Sequence, residues 1–249
     1  MALTGVEVAS FEADADRAWP AREVAVGSGW QARWADGMHR RINSATVSPD
    51  ADLPGAVEAI EAFYRRRGFP PTVKITAEAS HPEVDGFLAS RGYRYEARTQ
   101  VRGCAVTSMP VAPEVGFLSD SGAWVEAFAA ASGYEPASGR LLQQVIDRMS
   151  ESWLATVRVG SVIVAVGIGS VAPPRMGIFA MATRPEDRGN GHATAILRAL
   201  LGRAAERDIA EAFLQVMEDN AVALRLYERM GFVARYHYWY RVGVAAASR

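Results

Sequence analysis

Residues 176–241 read MGIFAMATRPEDRGNGHATAILRALLGRAAERDIAEAFLQVMEDNAVALRLYERMGFVARYHYWYR. The patterns in this segment run strand, glycine-bearing turn, amphipathic helix, strand, polar turn, helix, strand. Met176 to Thr183 is an apolar run of strand length. Pro185 ends it, because proline has no N–H to give to a ladder. Arg188-Gly189-Asn190-Gly191-His192-Ala193-Thr194 follows and leads directly into a helix with Ile196, Leu197, Leu200, Leu201 and Ala204 on one side.

Two glycines at a helix start have a physical meaning. The first turn of a helix carries N–H groups without intrahelical partners, and its dipole end is partly positive. Residues without side-chain bulk let an anion approach that backbone, and Arg188 adds a full charge. A phosphate or pyrophosphate site is one reading; a helix entry built of small residues for close packing is the other. The P-loop pattern is excluded, since no Gly-Lys-Ser/Thr is present. The dinucleotide fingerprint is excluded too, because Thr194 stands where its third Gly or Ala belongs.

Arg188, Gly191 and Ala193 form Arg-x-x-Gly-x-Ala between a strand and a helix. Phe213 to Val216, Asn220, Leu226-Tyr227 and Gly231-Phe232 follow in order. In these motifs the chain resembles the GNAT N-acyltransferase superfamily over roughly its last 140 residues.

The resemblance implies acetyl-CoA as cosubstrate and direct attack of an amine on the thioester in a ternary complex. It assigns the backbone of Arg188, Gly189, Asn190, Gly191, His192, Ala193 and Thr194 to the coenzyme's pyrophosphate. Met181, Ala182 and Thr183 would pair with the pantetheine arm beside a strand bulge. A freed N–H, that of Met181, would polarise the thioester oxygen as an oxyanion-hole donor does. Asn220 would bond the pantetheine amides, and Tyr227 would protonate the departing thiolate. A phenol near about 10 can protonate a thiolate whose thiol lies near about 8.5 only slightly uphill, so position matters more than acidity. Helix capping by Asn220 and core filling by Tyr227 are the structural alternatives.

No base for the amine is evident; Glu218, Glu135, His192 and His237 are the candidates. The acceptor is expected near Tyr134 and Glu135, on the loop between two helices, and near His237-Tyr238-Trp239-Tyr240, whose alternate residues face opposite sides of a strand. The expected acceptor is a primary amine on a small molecule or amino acid rather than on a protein. A non-catalytic acyl-CoA sensor and a nucleotide-binding module are the competing classes.

Composition bounds these readings. Apolar residues make up 49% and charged residues 22%, which is enough for a sizeable core in 249 residues. A net charge of −1 gives no global field for nucleic acid. Cys104 is the only cysteine, so no internal disulfide forms, and four histidines without companion ligand spacing predict no metal site. The first twenty residues lack a basic region followed by an apolar one, and no run of apolar residues is long enough to span a bilayer. A soluble cytoplasmic protein without membrane partners, monomeric or homodimeric, is expected.

The first part of the chain repeats the order of elements in the second. Arg91-Gly92-Tyr93 parallels Met230-Gly231-Phe232 at an offset of 139, which also sets Ile75 on Leu214. Pro49 parallels Pro185, yet between Pro49 and Ala56 there is a single glycine, Gly55, and no Arg. His81 falls on Asn220 and Leu88 on Tyr227; a leucine cannot donate a proton.

The expected fold is therefore α/β, two tandem GNAT-like domains, each a mixed, mostly antiparallel twisted sheet flanked by helices. Residues 1–108 form the degenerate copy and 109–249 the acyl-CoA-binding one, with a proline-bearing linker at Met109 to Pro113 between them. Predicted elements of the first part are a helix over Val6 to Trp19, strands over Trp30 to Trp34 and His39 to Val47 around an Asp36-Gly37 turn, and a helix over Ala56 to Arg67. Thr72 to Ala77 and Tyr95 to Val106 are predicted strands, with a helix over Pro82 to Ser90 between them. In the second part, helices are predicted at Trp124 to Ala131 and Leu141 to Met149, and a hairpin turns at Gly160-Ser161. The tail, Ala245 to Arg249, is expected to fray.

Overall fold

The computed structural model describes residues 3–110 and 112–244, so the expectation for the tail lies outside the described residues. Thr4 opens helix α1 (Gly5–Ala18) with a reciprocal capping box to Glu7. Strands β1 (Glu23–Gly27), β2 (Trp30–Trp34) and β3 (Ala45–Val47) follow, then α2 (Leu53–Arg65), β4 (Thr72–Thr76), α3 (Val84–Ser90) and β5 (Arg94–Ala105). The second part holds β6 (Val115–Leu118), α4 (Ser121–Ser132), α5 (Pro136–Ile146), β7 (Ser152–Val159), β8 (Val162–Ala172) and β9 (Arg175–Thr183). It closes with α6 (His192–Ala205), β10 (Glu211–Met217), α7 (Ala221–Arg229) and β11 (Val233–Val242).

All eleven strands join one mixed sheet in the order β1-β2-β3-β4-β11-β5-β10-β9-β8-β7-β6. Among the described residues only β3 with β4 and β9 with β10 run parallel, and each of these pairs is joined through a helix, α2 or α6. The matched parallel pairs give the internal repeat its structural form. The segments before and after residue 108 share the sheet by exchanging strands. β11 lies between β4 and β5, and β5 in turn lies between β11 and β10.

Alternation along the strands sorts side chains to two faces. Tyr236, Tyr238 and Tyr240 of β11 pack with Phe11 of α1, Trp124 of α4 and Leu142 of α5. On the opposite face, Leu214 and Val216 of β10 pack with Ile196, Leu197, Leu200 and Leu201 of α6 and with Tyr227 of α7. Ile60, Phe63 and Tyr64 of α2 cover β2 to β4 on that same face. The apolar periodicity of α2 and α6 thus states correctly which side each helix buries.

Three local expectations are corrected. β1 and β6, absent from the sequence reading, form the two edges of the sheet. β2 pairs with β1 across Gly29, which holds φ +75°, as well as with β3; the expected antiparallel pair of β2 and β3 forms, but its connection runs over residues 35–44 rather than as a tight Asp36-Gly37 turn. Residues 39–44 are then not a strand, because Asn43, fully buried, takes over the backbone of the connection. Its Oδ1 accepts from the N–H of Ala35 at 2.8 Å and of Gly37 at 3.2 Å, while its Nδ2 donates to the carbonyl of His39 at 2.8 Å. A short 3-10 turn, Arg40–Ile42, forms inside that bracket.

Candidate active site

β9 and β10 run as a parallel pair only from Arg175 opposite Glu211 to Ile178 opposite Leu214. Beyond that point β9 continues to Thr183 against β8, and Gln215 to Met217 continue against β5. The sheet therefore opens a wedge between residues 179–183 and 215–217, and backbone groups of β9 that face it have no strand partner. Inside β9 the register against β8 shifts between Val166 and Ile168, so that Ala180 and Met181 both stand opposite Gly167. Ala180 holds φ +47° in this bulge. Gly167 makes room for it, since a Cβ there would lie 2.4 Å from the Met181 sulfur and 2.8 Å from Ile196.

At the far end of β9 the chain turns through Arg184–Arg188 into α6. Gly189 and Gly191 hold φ +83° and +82°, conformations that L side chains rarely adopt, and nothing lies within 4 Å of a Cβ built on either. Gly191 is the N-cap, and no side chain caps the helix. The orphan N–H groups of the first turn, those of His192, Ala193 and Thr194, thus face open space with the positive end of the helix dipole behind them. Arg188 Nε donates to the Thr183 carbonyl at 3.3 Å and Asn190 Nδ2 to the Asp187 carbonyl at 3.2 Å, which stiffens the turn. A cleft of about 410 Å³ opens beside it, between Gly191, Thr194, Ala195 and Arg198 on one side and Pro110, Ala112 and Glu114 on the other. The small residues and the uncapped helix start fit a diphosphate, with Arg198 beside the cleft and Glu114 across it.

Asn220 caps α7, its Oδ1 accepting from the Ala223 N–H at 3.1 Å, and leaves its Nδ2 without a partner among the described residues. Tyr227 lies about two helix turns further on and packs edge-on against Phe232 at 6.0 Å. Its hydroxyl is neither hydrogen-bonded to a described residue nor sealed from solvent. Burial holds the phenol above its ordinary pKa, and the Arg41 guanidinium works against that rise. Met181, Ala182 and Thr183 thus stand on the open edge of β9, residues 188–194 at the start of α6, and Asn220 and Tyr227 at the cap and within α7.

Arg41 and His39 are the residues that reading missed, because it took 39–47 for a strand. His39 Nε2 and the Tyr134 hydroxyl are 2.8 Å apart, which ties the β2–β3 connection to the α4–α5 loop. Although His39 keeps an exposed edge, the surrounding protein, together with the Arg41 charge, pushes its imidazole down to about 4. The one sequence signal was the break of strand alternation at Arg40-Arg41.

The proposed bases are placed differently from one another. Glu218 is bridged by Arg98 at 3.2 Å and His237 at 3.1 Å. Glu135 stands exposed at the start of α5, and His192 begins α6. β11, which carries His237 to Tyr240, is one strand removed from β10. Among the described residues no cluster of three or more His, Cys, Asp or Glu could hold a metal ion, and no helix is long and apolar enough to cross a membrane.

A parallel pair that splays beside a bulge, leading to an uncapped glycine helix start, is the scaffold of the GNAT acetyltransferases, and known proteins point to the same class. The chain is 26% identical over 246 residues to the "Uncharacterized N-acetyltransferase YobR" of Bacillus subtilis, covering 93% of this chain and 98% of that one. It is 31% identical over 220 residues to the mycothiol acetyltransferase of Kocuria rhizophila, covering 77% and 72%. It also matches mycothiol acetyltransferases of Streptomyces, but spans only 39–40% of their length. In fold it is similar to a GCN5-related N-acetyltransferase from Kribbella flavida, with a TM-score of 0.73 at 16% identity over 99% of this chain and 97% of that one. A tandem GNAT protein from the clavulanic acid biosynthesis pathway gives 0.58 at 16% identity, covering 82% and 74%. The protein is a GNAT N-acetyltransferase. A family model described as "Probable histone acetyltransferase Rv0428c C-terminal" matches residues 5–241, and the chain belongs to that family.

Proposed function

We propose that the protein moves the acetyl group of acetyl-CoA to a primary amine of a small molecule or amino acid by direct attack within a ternary complex. The observation that carries this reading is the wedge between β9 and β10, which joins the Ala180–Met181 bulge to the open helix start at Gly191. When bound, acetyl-CoA supplies an activated acyl carbonyl and a thiolate leaving group.

The backbone of residues 188–194 holds the diphosphate, with Arg188 adding charge. The unpaired edge of Met181, Ala182 and Thr183 aligns the pantetheine arm, and Asn220 Nδ2 bonds one of its amides. The Met181 N–H, released from the ladder at the bulge, donates to the carbonyl oxygen as charge develops there. Tyr227, kept protonated by burial, gives its proton to the sulfur. The amine reaches the carbonyl neutral, by way of water.

The test is free-thiol release from acetyl-CoA across a panel of amines, amino acids and peptides, with Tyr227→Phe alongside. Thiol release that falls by about 100-fold or more in Tyr227→Phe, with acetyl-CoA affinity close to unchanged, is the expected result. Stabilisation by acetyl-CoA without thiol release from any amine would overturn the reading in favour of a non-catalytic acyl-CoA sensor.

A further inference from the structure

Arg41 is the charged group at the reaction centre for which the proposed chemistry has no use. The 3-10 turn Arg40–Ile42 places it there: Ile42 is fully buried in the core cluster that contains Phe179, and Asn43 clamps the turn from behind. The Arg41 carbonyl accepts from Arg33, which is itself neutralised by Asp16. Arg41 has no such companion. It pairs with no carboxylate and donates no hydrogen bond to any described residue. Its Nε is sealed from solvent without a partner, while the two terminal nitrogens stay open.

The Arg41 guanidinium carbon lies 5.5 Å from the centre of the Phe179 ring, and Phe179 is the residue directly before the bulge. Arg41 is also close enough to Tyr227 and Tyr240 for its charge to act on both phenols. A coenzyme phosphate is not its natural partner. The diphosphate turn begins at Arg188, nine residues along the chain from Phe179, and the first four of these are extended strand at roughly 3.3 Å each. An unpaired, partly buried guanidinium is costly, and its planar fork matches a carboxylate in two parallel hydrogen bonds.

We propose that Arg41 is a recognition residue for a carboxylate on the acceptor, so that the protein acetylates amines of the amino-acid class. The first part of the chain then supplies the specificity element of a site whose coenzyme-binding parts lie in the second. This rests on the acetyl-transfer reading above.

The test pairs amino acids with their decarboxylated amines, such as phenylalanine with phenethylamine and histidine with histamine. Thiol release from acetyl-CoA is followed in the wild type, Arg41→Gln and Arg41→Lys. The acid of a pair should be preferred by about 10-fold or more in kcat/KM. Arg41→Gln should remove that preference by raising KM for the acid about 10- to 100-fold, with Arg41→Lys between the two. Decarboxylated amines used as readily as the acids, or a loss in Arg41→Gln equal for both members of a pair, would overturn the proposal while leaving acetyl transfer intact.

Should no amine of either kind release thiol, acetyl transfer is what fails, and a second measurement still decides the role of Arg41. N-acetylphenylalanine is titrated into the CoA-bound protein while the Arg41 Nε–H resonance, assigned by its loss in Arg41→Lys, is followed by NMR. A shift that the neutral N-acetylphenethylamine does not cause supports the proposal, and no shift overturns it.

Discussion

At the scale of single residues, Gly191 has the most constrained task, holding φ +82° at an uncapped helix start with open space above it. Gly191→Val would force a β-branched residue into the left-handed region, at about 1–2 kcal/mol, and place methyl groups where the diphosphate has to approach. The expected outcome is a melting temperature a few degrees lower and an acetyl-CoA affinity weakened about 10-fold or more, read by calorimetric titration. Tyr227 makes a prediction about pH. Its raised pKa keeps the proton in place beyond the ordinary phenol range near 10, so no acid is lost on the way up. The kcat/KM profile should therefore rise with pH as the amine loses its proton and show no fall below about pH 10. A falling limb between about pH 7 and 9 would remove Tyr227 from the role of acid.

Elements show where the sequence could be read and where it could not. α6 and β9 were legible because long apolar patterns ended at Pro185 and at two glycines, and tertiary contacts had nothing to override. β1 was missed because an edge strand needs no buried stripe: Val24 and Val26 stay exposed, and Glu23 faces Arg67. The β2–β3 connection was misread because local alternation over 39–47 competes with a single buried amide. No propensity scale sees that Asn43 satisfies Ala35, Gly37 and His39 at once. That amide is the positioning device for both Arg41 and His39. Asn43→Ala should strand the backbone groups of Ala35 and His39 and lower stability by on the order of 3 kcal/mol in urea unfolding. A change below about 0.5 kcal/mol would mean that the connection holds itself together without Asn43.

At the scale of the whole molecule, the repeat was readable from Gly-aromatic pairs 139 residues apart, but the exchange of β5 and β11 was not. Both strands carry the same kind of pattern, so the sequence cannot say which neighbour each will take. The exchange makes the halves depend on each other, because β10 needs β5, and β4 needs β11, to satisfy their edges. Residues 109–249 expressed alone should therefore lack cooperative unfolding and regain it when 1–108 is supplied. A fragment 109–249 that folds alone, with β11 laid against β10, would show that the division at residue 108 separates independent domains. The proposed coenzyme site has no counterpart in the first half, since the turn between β3 and α2 has neither Arg nor paired glycines. The most direct test of the account is a backbone amide NMR map of the full chain on titration with CoA. It predicts the largest shifts at residues 181–183, 188–194 and 220, with residues 49–56 little changed; shifts centred on 49–56, or absent from 188–194, would contradict it.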